Sequence, residues 1–217
     1  MPTAEEGHRY FIDVSTGGSA LWGYASVPAP SIECCLKGLR GRSQGELLAS
    51  AAVHEAGHAV AAVYSGLPAT PVEVFFSSPC ERCGAPQAHG RNQAMNLGAG
   101  SSDDTLRMLA AGVQAELLWA EVQGPVTERE QWAIELGGLD DQAHARDVAD
   151  AQRTHGWPHL DYGPTGPNPQ PWNWPHQCRR ARAAARLWWP QIQILSAYIA
   201  QYRFVTAADI TGLLTNF

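Results

Sequence analysis

Lysine is nearly missing from this chain of 217 residues: Lys37 is the sole lysine among 15 basic side chains. Against 21 Asp and Glu they leave a net charge of −6 and a pI of about 5.7. A protein that coats nucleic acid needs a basic face for the phosphates, so no nucleic-acid partner is expected. Cysteine is scarce too, at 5 residues, too few for a disulfide scaffold at this length. The opening stretch MPTAEEGHRYFIDVSTGGSA lacks the basic start and apolar core of a signal peptide. No apolar run reaches the roughly 18 residues that span a bilayer, so no membrane segment is expected. The nearest candidate, Leu47 to Val63, carries two histidines and a glutamate in its middle. A cytoplasmic setting with reduced thiols follows. No phosphate-binding loop of the form GxxxxGK[ST] is present, and no internal repeat.

What is present is an ordinary globular composition, 45% hydrophobic, of a length that suits one principal domain. Residues 1–42 read as an extended arm or small β element, with apolar runs at Tyr10–Val14 and Ala20–Val27. The domain proper is expected over 43–217. Ser43 and Glu46 have the form of a capping box, and an Ala-rich helix runs from there to Gly66 and Pro68. PVEVFF at 71–76 reads as a strand, and the stretch from Cys80 to about Gly100 as a loop. Further helices are expected over Asp103–Val122, Glu128–Leu136 and from Asp140 towards Gly156. A Pro- and Trp-rich loop spans 157–175. A long helix follows over Gln177–Tyr202, kinked at Pro190, and TAADITGLL closes the chain.

The chemistry sits in the first helix. His54-Glu55-Ala56-Gly57-His58 is an HExxH motif, which random placement of 8 histidines in 217 residues would produce about 0.02 times per chain. Positions i and i+4 share a helical face, so both imidazoles can address one zinc ion. Glu55 lies close enough to reach a water beside that ion without ligating. Zinc lowers the pKa of such a water to about 7, and a carboxylate there can take its proton. A catalytic zinc needs a third protein ligand. No histidine occurs between His58 and His89, which excludes the HExxHxxGxxH form. Glu116 on the next helix remains a candidate, as do Asp140 and Asp141 behind Gly137-Gly138.

Several motifs together resemble the FtsH-type zinc peptidases. His-Glu-Ala-Gly-His-Ala at 54–59 matches their core motif, and Gly112-Val113-Gln114-Ala115-Glu116 is similar to their Gly-Arg-x-Ala-Glu helix. GGLDDQAHA at 137–145 is similar to the family's Gly-Ala-x-Asn-Asp-Leu-x-x-Ala, and the pattern from Leu187 to Leu214 to its closing helices. The resemblance spans roughly 45–215. It implies a mainly α, zincin-like helical bundle with a small β element beside the metal. It implies Zn2+ held by His54, His58 and Asp141, with Glu55 as general base and acid. It also implies a polypeptide substrate that adds as a strand to a sheet edge, for which PVEVFF is the candidate. The family's ATPase module and membrane segments have no counterpart in these residues. Short or unfolded substrates are therefore expected, or a separate unfoldase partner, or assembly as a homo-oligomer.

Weaker signals accompany these. Cys80 and Cys83 form a CxxC with His89 nearby, which reads as an ordinary loop pair before a structural zinc site; Cys34, Cys35 or Cys178 could join it in three dimensions. His144, three residues after Asp141, reads as a surface histidine. The cluster Arg179, Arg180, Arg182 and Arg186 reads as a solvated helix face. The alternative to a peptidase is a zinc-binding regulatory or interaction module without turnover, against which the presence of Glu55 argues.

Overall fold

A computed structural model describes residues 8–12, 21–27, 41–79, 84, 86–92 and 100–215. Among them the chain is mainly helical, 63% of it in seven α-helices, with small antiparallel sheets. A hairpin of β1 (His8–Ile12) and β2 (Leu21–Ala25) precedes α1 (Gln44–Tyr64). Then come β3 (Val72–Ser77), β4 (Gln87–Asn92), α2 (Ser102–Gln123), α3 (Glu128–Gly137) and α4 (Leu139–Ala151). The C-terminal part holds α5 (Trp174–Leu187), α6 (Trp189–Tyr202), β5 (Phe204–Val205) and α7 (Ala207–Thr215). No helix of the described residues is long and apolar enough to cross a membrane.

The helices begin where side chains satisfy their free N–H groups. At α1 both arms of the capping box form: the Glu46 N–H donates to Ser43 Oγ (3.2 Å) and the Ser43 N–H to the Glu46 carboxylate (2.7 Å). Ser101, Thr127 and Asn173 cap α2, α3 and α5 by one arm only, each side chain accepting from the backbone N–H three residues on. The predicted long C-terminal helix is two helices. The chain leaves helical geometry at Trp188, because Pro190 has no N–H to continue the ladder, and the Trp188 ring stacks on Tyr64 with centroids 5.0 Å apart.

α1 and α2 form the centre and cross very closely. A Cβ on Gly57 would lie 2.6 Å from the Ala111 carbonyl oxygen and 2.7 Å from the Ala115 methyl, so only glycine permits this approach. Ala56, Val60, Val72, Val74, Ile192, Leu195 and Ile199 pack one side of α1. On the other side Leu106 and Leu109 meet Ala145, Val148, Leu160 and Trp174. Each buried Leu or Ile contributes about 1.5–3 kcal/mol, and these two clusters fix α1 in the middle of the molecule.

The second sheet has the order β4-β3-β5, all antiparallel. This corrects two expectations. PVEVFF is not an outer strand: β3 lies between β4, which pairs along its whole length, and the two-residue β5, which pairs only with Val72 and Glu73. The stretch read as a loop contains β4, whose sequence QAHGRN has no apolar alternation because backbone pairing, not burial, makes it a strand. The register Val72↔Asn92 and Val74↔Gly90 puts Asn92 and Gly90 on the face of the buried valines, towards α1. The hairpin docks through β2, where Gln142 grips the backbone of Tyr24 at both ends. It accepts from the Tyr24 N–H (2.7 Å) and donates to the Tyr24 carbonyl (3.0 Å). Cys34, Cys35, Cys80 and Cys83 lie outside the described residues, and with them the CxxC pair.

Candidate metal centre

The HExxH turn lies at the crossing of α1 and α2, with His58 and Glu55 buried at 2% and 5% exposure. Asp141 enters from the first turn of α4, where the helix dipole favours a carboxylate. Its Oδ2 is 3.1 Å from His54 Nε2 and its Oδ1 is 3.3 Å from His58 Nε2. One ligand atom from each of His54, His58 and Asp141 lies within 4.8 Å of the others. Glu55 stands outside that group although it is the neighbour of His54 in sequence.

Each imidazole is held from behind. His58 Nδ1–H donates to the Met108 carbonyl (2.8 Å), which turns Nε2 towards Asp141. His54 Nδ1–H donates to Glu116 Oε2 at 3.2 Å. Glu116 is anchored in turn: its other oxygen accepts from the Ser50 hydroxyl, which itself accepts from Arg42 (2.7 Å). Arg42 reaches on to Glu130 and lies over the Trp119 ring at 5.2 Å. Glu116 thus serves the outer nitrogen of His54 and is not one of the convergent donors. Such partners fix the tautomer and orientation of a metal-binding histidine.

The geometry makes physical sense of the Gly112–Glu116 stretch. A Cβ at position 112 would lie 2.3 Å from His58 Nε2 and 2.6 Å from His54 Nε2, so glycine there clears room beside the two nitrogens. Ala115 is the small residue against Gly57, and Glu116 meets His54.

Glu55 is clamped by β4. Asn92 donates its amide to Glu55 Oε2 at 3.3 Å, and Thr70 Oγ1 donates to Asn92 Oδ1 at 2.5 Å, which orients the amide. A Cβ on Gly90 would come within 2.3 Å of Glu55 Cγ, so the strand passes directly over the side chain.

Charge in the cluster is complementary. Although burial opposes a charged ring, hydrogen bonds to Asp141 and Glu116 hold His54 well above the usual histidine range, and the Asp141 charge raises His58. Burial opposes ionisation of Asp141 as well, yet the His58 charge and the bonds from both rings hold its carboxyl well below its ordinary value. Burial pushes Glu55 upward, with the two histidines pulling the other way. The pocket therefore favours positive charge between carboxylate and imidazoles, which is what a divalent cation supplies. Two imidazole nitrogens and one carboxylate match zinc's preferred donors, and the Gly112 recess leaves space for an ion. The residues fit the metal.

A cleft of about 490 Å³ opens over this group, walled by α1, the start of α4 and β4. Asp140 and His144 line it without joining the ligand atoms, and His144 is exposed. His89 stands exposed on β4 beside Gln87 and Phe75. The positions that sequence reasoning missed are Asn92, Gly90, Thr70 and the Met108 carbonyl. They come from a strand without periodicity and from a backbone atom, and neither leaves a motif. No protein-family model matches the chain, and no characterised protein matches it in sequence.

Proposed function

We propose that this chain is a zinc-dependent metallopeptidase with an FtsH-like, zincin-type fold, hydrolysing peptide bonds in short or unfolded polypeptides. The observation that carries the reading is the convergence of His54 Nε2, His58 Nε2 and the Asp141 carboxylate, with Glu55 beside them but outside the donor set. A purely structural site has no use for a buried carboxylate held next to it by a dedicated amide.

His54, His58 and Asp141 would hold the metal. Zinc there supplies carbonyl polarisation and lowers the pKa of a water to about 7. Glu55 would take the proton from the attacking water and return it to the leaving amine nitrogen. Burial, which raises the Glu55 pKa, makes it a better proton acceptor than a solvated glutamate. Asn92 keeps Glu55 Oε2 engaged and so fixes the carboxylate beside the two histidines. A polypeptide lying along β4, the outer strand of its sheet, would pass the site in extended form. A cytoplasmic setting goes with this reading, as do homo-oligomerisation or a separate unfoldase for folded substrates.

The test is Glu55→Gln. Glutamine keeps size and hydrogen bonding but cannot accept the water proton. Zinc content and thermal melting should match the parent, while cleavage of casein falls by about 10²–10⁴-fold. Parent cleavage should stop with a chelator and return with zinc. Cleavage that survives in Glu55→Gln would dismiss the mechanism, and zinc binding without hydrolysis in either protein would favour a binding module.

A further inference from the structure

We propose that a second cavity, of about 730 Å³ between α2, α5 and the loop over 163–175, binds a small organic anion that carries an apolar or aromatic body. The volume lies in the range of roughly 300–1,000 Å³ found for ligand sites. The cavity shares no lining residue with the metal cleft. The proposal is independent of the peptidase reading.

Three arginines and two glutamates line this cavity. His176, Arg179, Arg182 and Arg186 fall at helical spacing on α5 and line one wall. Arg182 is already committed, to the Gln114 carbonyl (2.7 Å) and to Glu121. Arg179 and Arg186 have no hydrogen-bond or ion-pair partner among the described residues, whereas Arg42, Arg91, Arg107 and Arg180 each have a carboxylate. The two carboxylates facing the cavity cannot serve. Glu121 is taken by Arg182, and Glu135 accepts from the Ser26 N–H, the Ser26 hydroxyl and Gln131. Arg179 and Arg186 are exposed, about two helical turns apart on α5, and line the mouth of the cavity. The apolar part of the lining comes from Tyr24, Val113, Leu117, Trp174 and the prolines 167 and 169, interleaved with the amides of Gln114, Gln131 and Gln142. Two uncompensated guanidinium forks beside an apolar and aromatic lining recognise a carboxylate or phosphate attached to a ring or short hydrocarbon.

The probe is 8-anilinonaphthalene-1-sulfonate, whose sulfonate stands in for the ligand's anion, titrated by fluorescence into the natively folded full chain. Its uncharged analogue, N-phenyl-1-naphthylamine, controls for the apolar lining. The expected result is saturable binding of one sulfonate probe per chain, weakened by about tenfold or more in Arg179→Ala/Arg186→Ala. Arg179→Lys/Arg186→Lys should recover part of it, and His54→Ala/His58→Ala should leave it unchanged. Both arginines are exposed on a helix, so the variants should keep the parent circular dichroism. The proposal is overturned if the sulfonate does not saturate, if the double alanine variant binds it as well as the parent, or if the uncharged analogue binds the parent as tightly as the sulfonate.

Discussion

Gly112 and His58 meet so closely that a single added carbon would displace the ring: a Cβ on Gly112 would lie 2.3 Å from His58 Nε2. Gly112→Ala therefore sets two effects against each other. Alanine favours an interior helical position over glycine by about 1 kcal/mol, which supports α2. The methyl group also occupies the space beside both ligand nitrogens, and the rings must turn away from Asp141 or α2 must retreat from α1. The expected variant is folded and fully helical, with zinc affinity reduced by about 10–100-fold in competition against a chromogenic chelator. Unchanged affinity would mean that the two Nε2 atoms do not form the binding face.

Asn92 holds Glu55 from the neighbouring strand, and losing that contact should show in turnover rather than in metal content. Asn92→Ala is expected to lower kcat by about three- to tenfold with little change in KM, as for a contact acting on the base alone. Zinc content should equal that of the parent. Thr70→Val, which only frees the amide to rotate, should have a smaller effect in the same direction. Combining Asn92→Ala with Glu55→Gln should add nothing, because the two act through one carboxylate. Additive losses would assign Asn92 a separate role.

Much of this architecture could be read before any coordinates, for local reasons. Ser43, Glu46 and Gly66 bracket α1, and the His54/His58 spacing alone places two imidazoles on one face. Asp141 stands apart from Glu116 and Asp140 in the sequence only through a resemblance, since nothing in its spacing from His58 says that α4 returns to the same point. β4 escaped because a strand that pairs on one side and faces a cleft on the other needs no apolar alternation. Asn92, Gly90 and Thr70 went with it. Glu116 was seen as a candidate ligand. Its role against the outer nitrogen of His54 depends on the close α1–α2 crossing at Gly57, a distance that no linear pattern contains.

The Asp103–Arg180 pair ties the first turn of α2 to α5 and gives the stability a pH dependence. Asp103 is partly buried, which disfavours its charge, but the Arg180 guanidinium and the Gln177 amide outweigh this and hold its carboxyl below the usual range. A depressed folded-state pKa contributes stability above the unfolded value, and that contribution fades as pH falls through the folded one. Solvent screening of the half-exposed pair limits it to about 0.5–1 kcal/mol. Asp103→Asn should therefore lower urea stability by that amount at pH 7, and parent and variant should converge as pH falls below the usual carboxylate range. A gap that persists at low pH would trace the effect to packing.

The sharpest discrimination among the carboxylates is between Asp141, Glu116 and Asp140. Asp141 places one oxygen 3.1 Å from His54 Nε2 and the other 3.3 Å from His58 Nε2, so its removal deletes a ligand and the link between the rings. Glu116 touches only the outer nitrogen of His54, and Asp140 lines the cleft without joining the group. Three single alanine variants, loaded with zinc and then challenged with a chelator, should rank in that order. Asp141→Ala should lose its metal almost completely, and Glu116→Ala should weaken it by about 10–100-fold, as expected when a histidine loses its orienting partner. Asp140→Ala should behave as the parent. Glu116→Gln adds a further check, because the amide oxygen still accepts from His54 Nδ1–H and should restore most of the affinity. Should Glu116→Ala strip the zinc while Asp141→Ala keeps it, the metal would sit on the outer side of His54, and the site described by His54, His58 and Asp141 would have to be abandoned.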